Sequence, residues 1–174
     1  GISGIRELDF GEGRHALTLT LDKENRILVA GHERLARLTS MGELDDTFGD
    51  SGAVVDDWVI QNYAIATQAD GKILITGGDT GNFRVSRYHP DGSADDTFDD
   101  RQYALTDCCN TNAIRGVHPR DDGDIVLAGK LHQGDKPWTV PDDSYDAFAL
   151  LRISHDGDAE QAFNDNWGSD EFVH

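Results

Sequence analysis

Trp138, Tyr145 and the pair Asp142 and Asp143 crowd into one stretch, Lys130–Ala147, which reads KLHQGDKPWTVPDDSYDA. Aromatic rings beside carboxylates suit a sugar or peptide site. The ring offers a flat apolar face for stacking, and the acids accept from hydroxyls or hold cations. The same residues also suit a loop whose Trp138 packs back onto its neighbour. His132 stands in this stretch, and His32 is the other histidine placed to join it. Trp58 lies in an earlier connection. Cys108 and Cys109 are adjacent and are the only cysteines. A bond between them would close a strained ring away from usual disulfide geometry, and would make a rigid apolar platform. Two reduced thiols are the alternative; a metal site is disfavoured because adjacent cysteines lack ligand spacing. His89 and His155 sit at Asp-Gly turns, and His118-Pro119 reads as another turn. No Ser/His/Asp order and no His-x-x-x-His spacing emerges, and no Asp-x-Asp-Gly run carries the closing Glu of a calcium loop. No catalytic residue is therefore assigned. No cofactor is expected, the metal question stays open, and a calcium ion is the one ion kept in view.

The elements that must position these residues repeat three times. Ile27–Gly31, Ile73–Gly77 and Ile125–Gly129 are matching apolar runs, each closed by Gly. Six residues before each closing Gly stands Asn25, Gly71 or Gly123, all types that accept the left-handed backbone of a tight turn. Arg37, Arg87 and Arg152 each precede a Gly by five residues, an acid by eight (Asp45, Asp95, Glu160) and a Phe by eleven (Phe48, Phe98, Phe163). Each Arg is expected to pair with its acid across a hairpin, the acid standing where a fourth strand begins. With the strands of a unit labelled a to d, a–c are expected near 16–20, 26–30, 35–39, 63–68, 72–76, 83–88, 113–117, 124–128 and 148–153. A fourth strand follows each Phe.

Spacing inside these blocks is constant, but the step from the closing Gly to the Arg grows from six to ten to twenty-three. That gap is the b–c loop. It shares one end of the unit with the d–a connections, while the a–b and c–d turns share the other. Variable loops on a rigid scaffold carry function, so the site is expected on the b–c end.

Units of about 50 residues with four short strands read as propeller blades. The segments QADGKILITG and FRVSRYHPDGSADDTF resemble the delta-60 repeat, a β-propeller-type repeat of large, often exported bacterial proteins. The resemblance implies an all-β fold and a general binding role, with no catalytic motif to carry over. It organises the chain as a single repeat domain: an orphan outer strand in 1–13, blades in 14–60, 61–110 and 111–174, and an insertion at 130–147. Three blades are too few for a closed ring, so the chain is expected to be part of a longer array, capped at its ends, or one half of a six-bladed homodimer.

Acids outnumber bases 33 to 15, a net charge of −18, which opposes nucleic acid and anionic membranes. No apolar run approaches the ~20 residues that span a bilayer. Gly1 opens no signal peptide, as in a mature chain or a piece of a larger one. The expected function is a non-catalytic recognition module, extracellular or on the bacterial surface, binding a glycan, peptide or protein. A propeller-type hydrolase or lyase and a purely structural spacer are the alternatives.

Overall fold

The computed structural model describes residues 16–55, 61–79, 82–98, 101–103, 113–133 and 145–158, with 4, 5 and 7; at 61–63, 78–79, 82–83, 101–103, 113, 130–133 and 145–149 it describes backbone alone. The chain is all-β and forms partial propeller blades. Blade 1 is the sheet β1 (Ala16–Leu21), β2 (Ile27–Gly31), β3 (Arg34–Leu38) and β4 (Ala53–Val55). Blade 2 is β5 (Gln61–Thr67), β6 (Ile73–Asp79), β7 (Asn82–Tyr88) and β8 (Arg101–Tyr103). Blade 3 is β9 (Ala113–Pro119), β10 (Ile125–Gln133) and β11 (Tyr145–Ile153) among the described residues. Every pairing is antiparallel between chain neighbours. The first strands approach one another, β1 to β5 and β5 to β9, so strand a lies innermost.

One turn design closes both the a–b and the c–d hairpins at the constant end. At Gln68 the amide donates to the Lys72 carbonyl, and the Gly71 amide donates back to the Gln68 carbonyl. The same two bonds recur from Asp22, Arg120, Thr39, His89 and Ser154. Each is a three-residue loop whose last residue is left-handed, a common hairpin connection. That residue is Asn25 (φ 59°), Gly71 (88°) or Gly123 (94°) in the a–b turns, and Gly42, Gly92 or Gly157 in the c–d turns. The aspartate of the Asp-Gly pair accepts from the amide two residues on: Asp70 from Lys72, Asp91 from Ser93 and Asp122 from Asp124.

The run ILIT of blade 2 packs on both faces, and ILVA and IVLA pack on the face turned to blade 2. Leu28, Ala30, Leu35 and Phe48 of blade 1 pack with Ile65, Ile73, Ile75 and Tyr88 of blade 2. Leu74, Val85 and Phe98 of blade 2 pack with Ile114, Ile125, Leu127 and Ile153 of blade 3. Successive residues of β6 thus serve opposite junctions.

Each junction is latched by a buried arginine of strand c. Arg37 donates from Nε to Asp45 Oδ2 at 2.8 Å and from Nη2 to Thr47 Oγ1 at 3.1 Å. Its Nη1 reaches into the next blade, to the Pro90 carbonyl. Arg87 repeats the pattern with Asp95 (2.7 Å), Thr97 (3.5 Å) and, one blade on, the His155 carbonyl (2.6 Å). Phe48 and Phe98 lie under the two guanidiniums, 4.6 and 4.3 Å from the ring centres. A backbone bond reinforces the first junction, Gly49 amide to Asp91 carbonyl at 2.8 Å. Glycine suits position 92, since φ is +91° and a Cβ would crowd the Gly49 nitrogen at 3.0 Å and the Phe48 ring at 3.1 Å.

Two expectations are corrected. Asp45 and Asp95 do not open strand d. They sit in the c–d connection, and strand d begins later, at Ala53 and Arg101. In the connection each carboxylate binds the arginine and the Thr hydroxyl two residues on together (2.6 Å in both blades). His118-Pro119 is not a turn but the end of β9, paired with Val126 and Ile125. Among the described strands β9 is at the sheet edge, where the missing proline amide costs least.

Arg87→Ala should lower the unfolding free energy by about 3 kcal/mol, because it strips a buried carboxylate and a blade contact of one partner. Arg87→Lys should recover only part, having no planar fork to serve three acceptors. Urea titration checks both, and an unchanged midpoint would show the latch dispensable. Thr76 is fully buried, and its hydroxyl has no partner among the described residues. Thr76→Val should therefore stabilise by about 1 kcal/mol in the same titration. A loss of stability would mean that the hydroxyl is bonded.

Candidate functional site

The b–c ends differ from blade to blade in a regular way. In blade 1 the ladder stops at Gly31–Arg34, bridged by His32 and Glu33. Blade 2 adds two pairs beyond the equivalent Gly77–Arg84, namely Gly78–Phe83 and Asp79–Asn82. Blade 3 adds four beyond Gly129–Ala149, from Lys130–Phe148 to Gln133–Tyr145. The lengthening is thus taken up first by ladder and only then by loop. This corrects the reading of Lys130–Ala147 as a loop throughout: its two ends, 130–133 and 145–147, are strand.

His132 and Tyr145 consequently stand in this hairpin arm rather than in a loop. His132 is paired with Asp146, and Tyr145 with Gln133. These are successive ladder positions, which alternate between the faces of a sheet. The structure brings the two residues to the same tip but not to the same register position. Trp138, Asp142 and Asp143 fall between the strands and lie outside the described residues, as do Trp58, Cys108, Cys109 and Glu160.

At the opposite end, shallow grooves run along the blade junctions. One is lined by Arg26, Arg37, Gln68 and Pro90, the other by Lys72, Arg87, Arg120 and His155. Their charges answer one another. Asp45 takes Arg37 and, at 3.7 Å, Arg26. Asp95 takes Arg87 and, at 2.9 Å, Lys72. The residue before strand b is thus a second cation for the same carboxylate. In blade 3 that position is Asp124, and the sign is reversed: Arg152 turns to Asp124, with Nε at 2.8 Å and Nη2 also bonded. The Arg152–Glu160 pair expected from spacing involves a residue outside the described ones. The signal for Asp124 was its place in the series Arg26, Lys72, Asp124. Thr47 and Thr97 were also missed, although both recur two residues after the acid. Among the described residues no three His, Cys, Asp or Glu side chains converge as metal ligands.

Burial alone would raise the Asp95 carboxyl. The Thr97 hydroxyl, Lys72 and Arg87 outweigh it and hold the group well below the usual carboxylate range. Asp45 is lowered chiefly by the Thr47 hydroxyl, against the effect of burial and with help from Arg37. A carboxylate lowered on folding gives stability that is complete above its unfolded value of about 3.9 and is lost as pH falls below it. Stability should therefore be flat from pH 7 to about 5 and fall below about 4, with a shallower fall in Asp95→Asn. Urea midpoints across this range check it. Equal acid slopes in the two proteins would show that Asp95 is not part of the effect.

Two segments of the chain, residues 25–48 and 68–98, match a family described as a domain of unknown function (DUF5122) β-propeller. Each matched segment ends on the phenylalanine beneath a latch arginine, Phe48 or Phe98. No curated protein and no solved structure matches the chain. The match and the three sheets together support a β-propeller-type repeat family for this chain.

Proposed function

We propose that this chain is a non-catalytic recognition module of the delta-60 repeat kind, belonging to an exported or cell-surface bacterial protein. Its ligand is a glycan, peptide or protein held on the face built by the b–c hairpins. The observation that carries this reading is the contrast between the two ends of the blades. At one end six turns share one hydrogen-bond design. At the other the hairpins extend by zero, two and four extra pairs. A scaffold needs constancy, and a binding surface needs a feature of its own shape.

The longest arm, in blade 3, ends in the stretch that holds Trp138, Asp142 and Asp143, with His132 and Tyr145 at its base. Trp138 and Tyr145 supply stacking surface, and the aspartates supply acceptors. Trp58, Cys108 and Cys109 belong to the connections that share this end. No cofactor enters this reading.

The test is a glycan and peptide array probed with the chain, followed by titration of any hit. Trp138→Ala should abolish binding while moving the melting temperature by less than about 2 °C, the shift expected of a loop residue outside the core. A large loss of stability with binding intact would make Trp138 a packing residue. A chain with no ligand, unharmed by deletion of residues 134–144, would be a spacer.

A further inference from the structure

The two blade junctions inside the chain join the same two kinds of face. A front face meets the preceding blade and a back face meets the following one. Ile65, Ile73 and Ile75 form the front of blade 2, and Val117, Ile125 and Leu127 that of blade 3. The ladder pairs Ile65–Ile75, Val117–Leu127 and Leu19–Val29 are equivalent, so Leu19, Ile27 and Val29 are the front of blade 1. On the back, Leu28 with Leu35 and Leu74 with Val85 correspond to Val126 with Leu150 in blade 3.

Among the described residues, the front positions of blade 2 are buried and those of blade 3 buried or half-buried, whereas Leu19 of blade 1 is exposed; the back positions of blades 1 and 2 are buried, whereas Leu150 of blade 3 is exposed. Ile65 is 8% exposed but Leu19 is 65% exposed, flanked by Leu17 and Leu21 on the same strand face. Leu35 and Val85 are fully buried, but Leu150 is 49% exposed. The latch follows the same rule: the side chains of Arg37 and Arg87 are 4% and 5% exposed, that of Arg152 38%. Gly42, the counterpart of Gly92, has nothing within 4 Å of where a Cβ would stand. Gly92 there meets Phe48 and Gly49 of the blade before it.

One chain therefore carries both halves of one interface, with the polarity and register of its own junctions. We propose that a second copy of this chain covers both faces at once. The back of blade 3 in each copy seats on the front of blade 1 in the other, Leu150 against Leu19, as Leu35 packs with Ile65. Arg152 then stands to the partner's c–d turn, at the Ser40 carbonyl, as Arg37 stands to Pro90. A two-fold axis makes both junctions together and leaves no open face, and six blades fall within the usual four to eight. Each copy carries −18, so the copies repel through solvent while their apolar faces attract. Association should tighten as salt screens that repulsion.

Sedimentation equilibrium on the chain tests this. The expected mass is twice the 19.1 kDa of one copy, with a dissociation constant that falls between low and physiological salt. Leu19→Lys and Leu150→Glu sit on exposed positions of opposite faces. Each alone should give a monomer with unchanged circular dichroism, and the two together in one chain should restore the dimer. A monomeric parent, as when blades of a longer chain cover these faces, would overturn the proposal. So would a series of species larger than two copies, or a dimer indifferent to both single substitutions.

Discussion

A guanidinium taken out of water must have its donors met, and Arg37 and Arg87 are almost wholly enclosed. Much of the architecture answers that demand. The Nε donor fixes where the acid must be, and so places Asp45 and Asp95 in the c–d connection. One terminal nitrogen selects the threonine two residues later, which in turn braces the acid. The other terminal nitrogen is met in Arg37 and Arg87 by a carbonyl of the next blade, so each of these arginines ties its blade to the one that follows. The aromatic ring beneath supplies the last surface. Blade order, turn shape and glycine placement follow from seating one side chain.

Blade 3 meets the same need differently. Its strand b is preceded by an acid where the others have a base, and Arg152 takes that acid from the adjacent strand. The cation is retained, and an acid of the adjacent strand stands beside it. What the three described blades share is thus an arginine bonded to a carboxylate at this point of strand c. The same tolerance is visible in the left-handed turn position, where Asn25 serves in place of glycine.

Much of this was legible in the chain. The turns were readable because glycine and asparagine mark a backbone conformation that other residues resist. The arginine and acid were readable because both are side chains at a fixed offset. The third acceptor of each arginine was not, since it is a backbone carbonyl 53 or 68 residues away, and a carbonyl has no residue identity. The arm in blade 3 was misread for a related reason. Its strand ends include Lys130, His132 and Asp146, polar residues that look like loop and yet are held by a ladder that uses only backbone groups. His118-Pro119 misled because proline at a strand end and proline in a turn look alike without the neighbouring strand. Trp138, Asp142 and Asp143, on which the proposed b–c site rests, are known by type and order.

The b–c ladders lengthen by two pairs at each step, hence by four strand residues, and the rest of the blade 3 insertion lies between its strands. Side chains alternate along a strand, so an odd number of added pairs would shift the tip onto the opposite face, while an even number does not. Four codons are therefore the natural quantum of change for this arm: each such insertion moves the tip outward by about 7 Å without altering which way it faces. An ancestral gene could lengthen one blade's arm in this way without touching the latch or the turns, and a protein engineer could set reach in the same increments, much as one adds links to a chain.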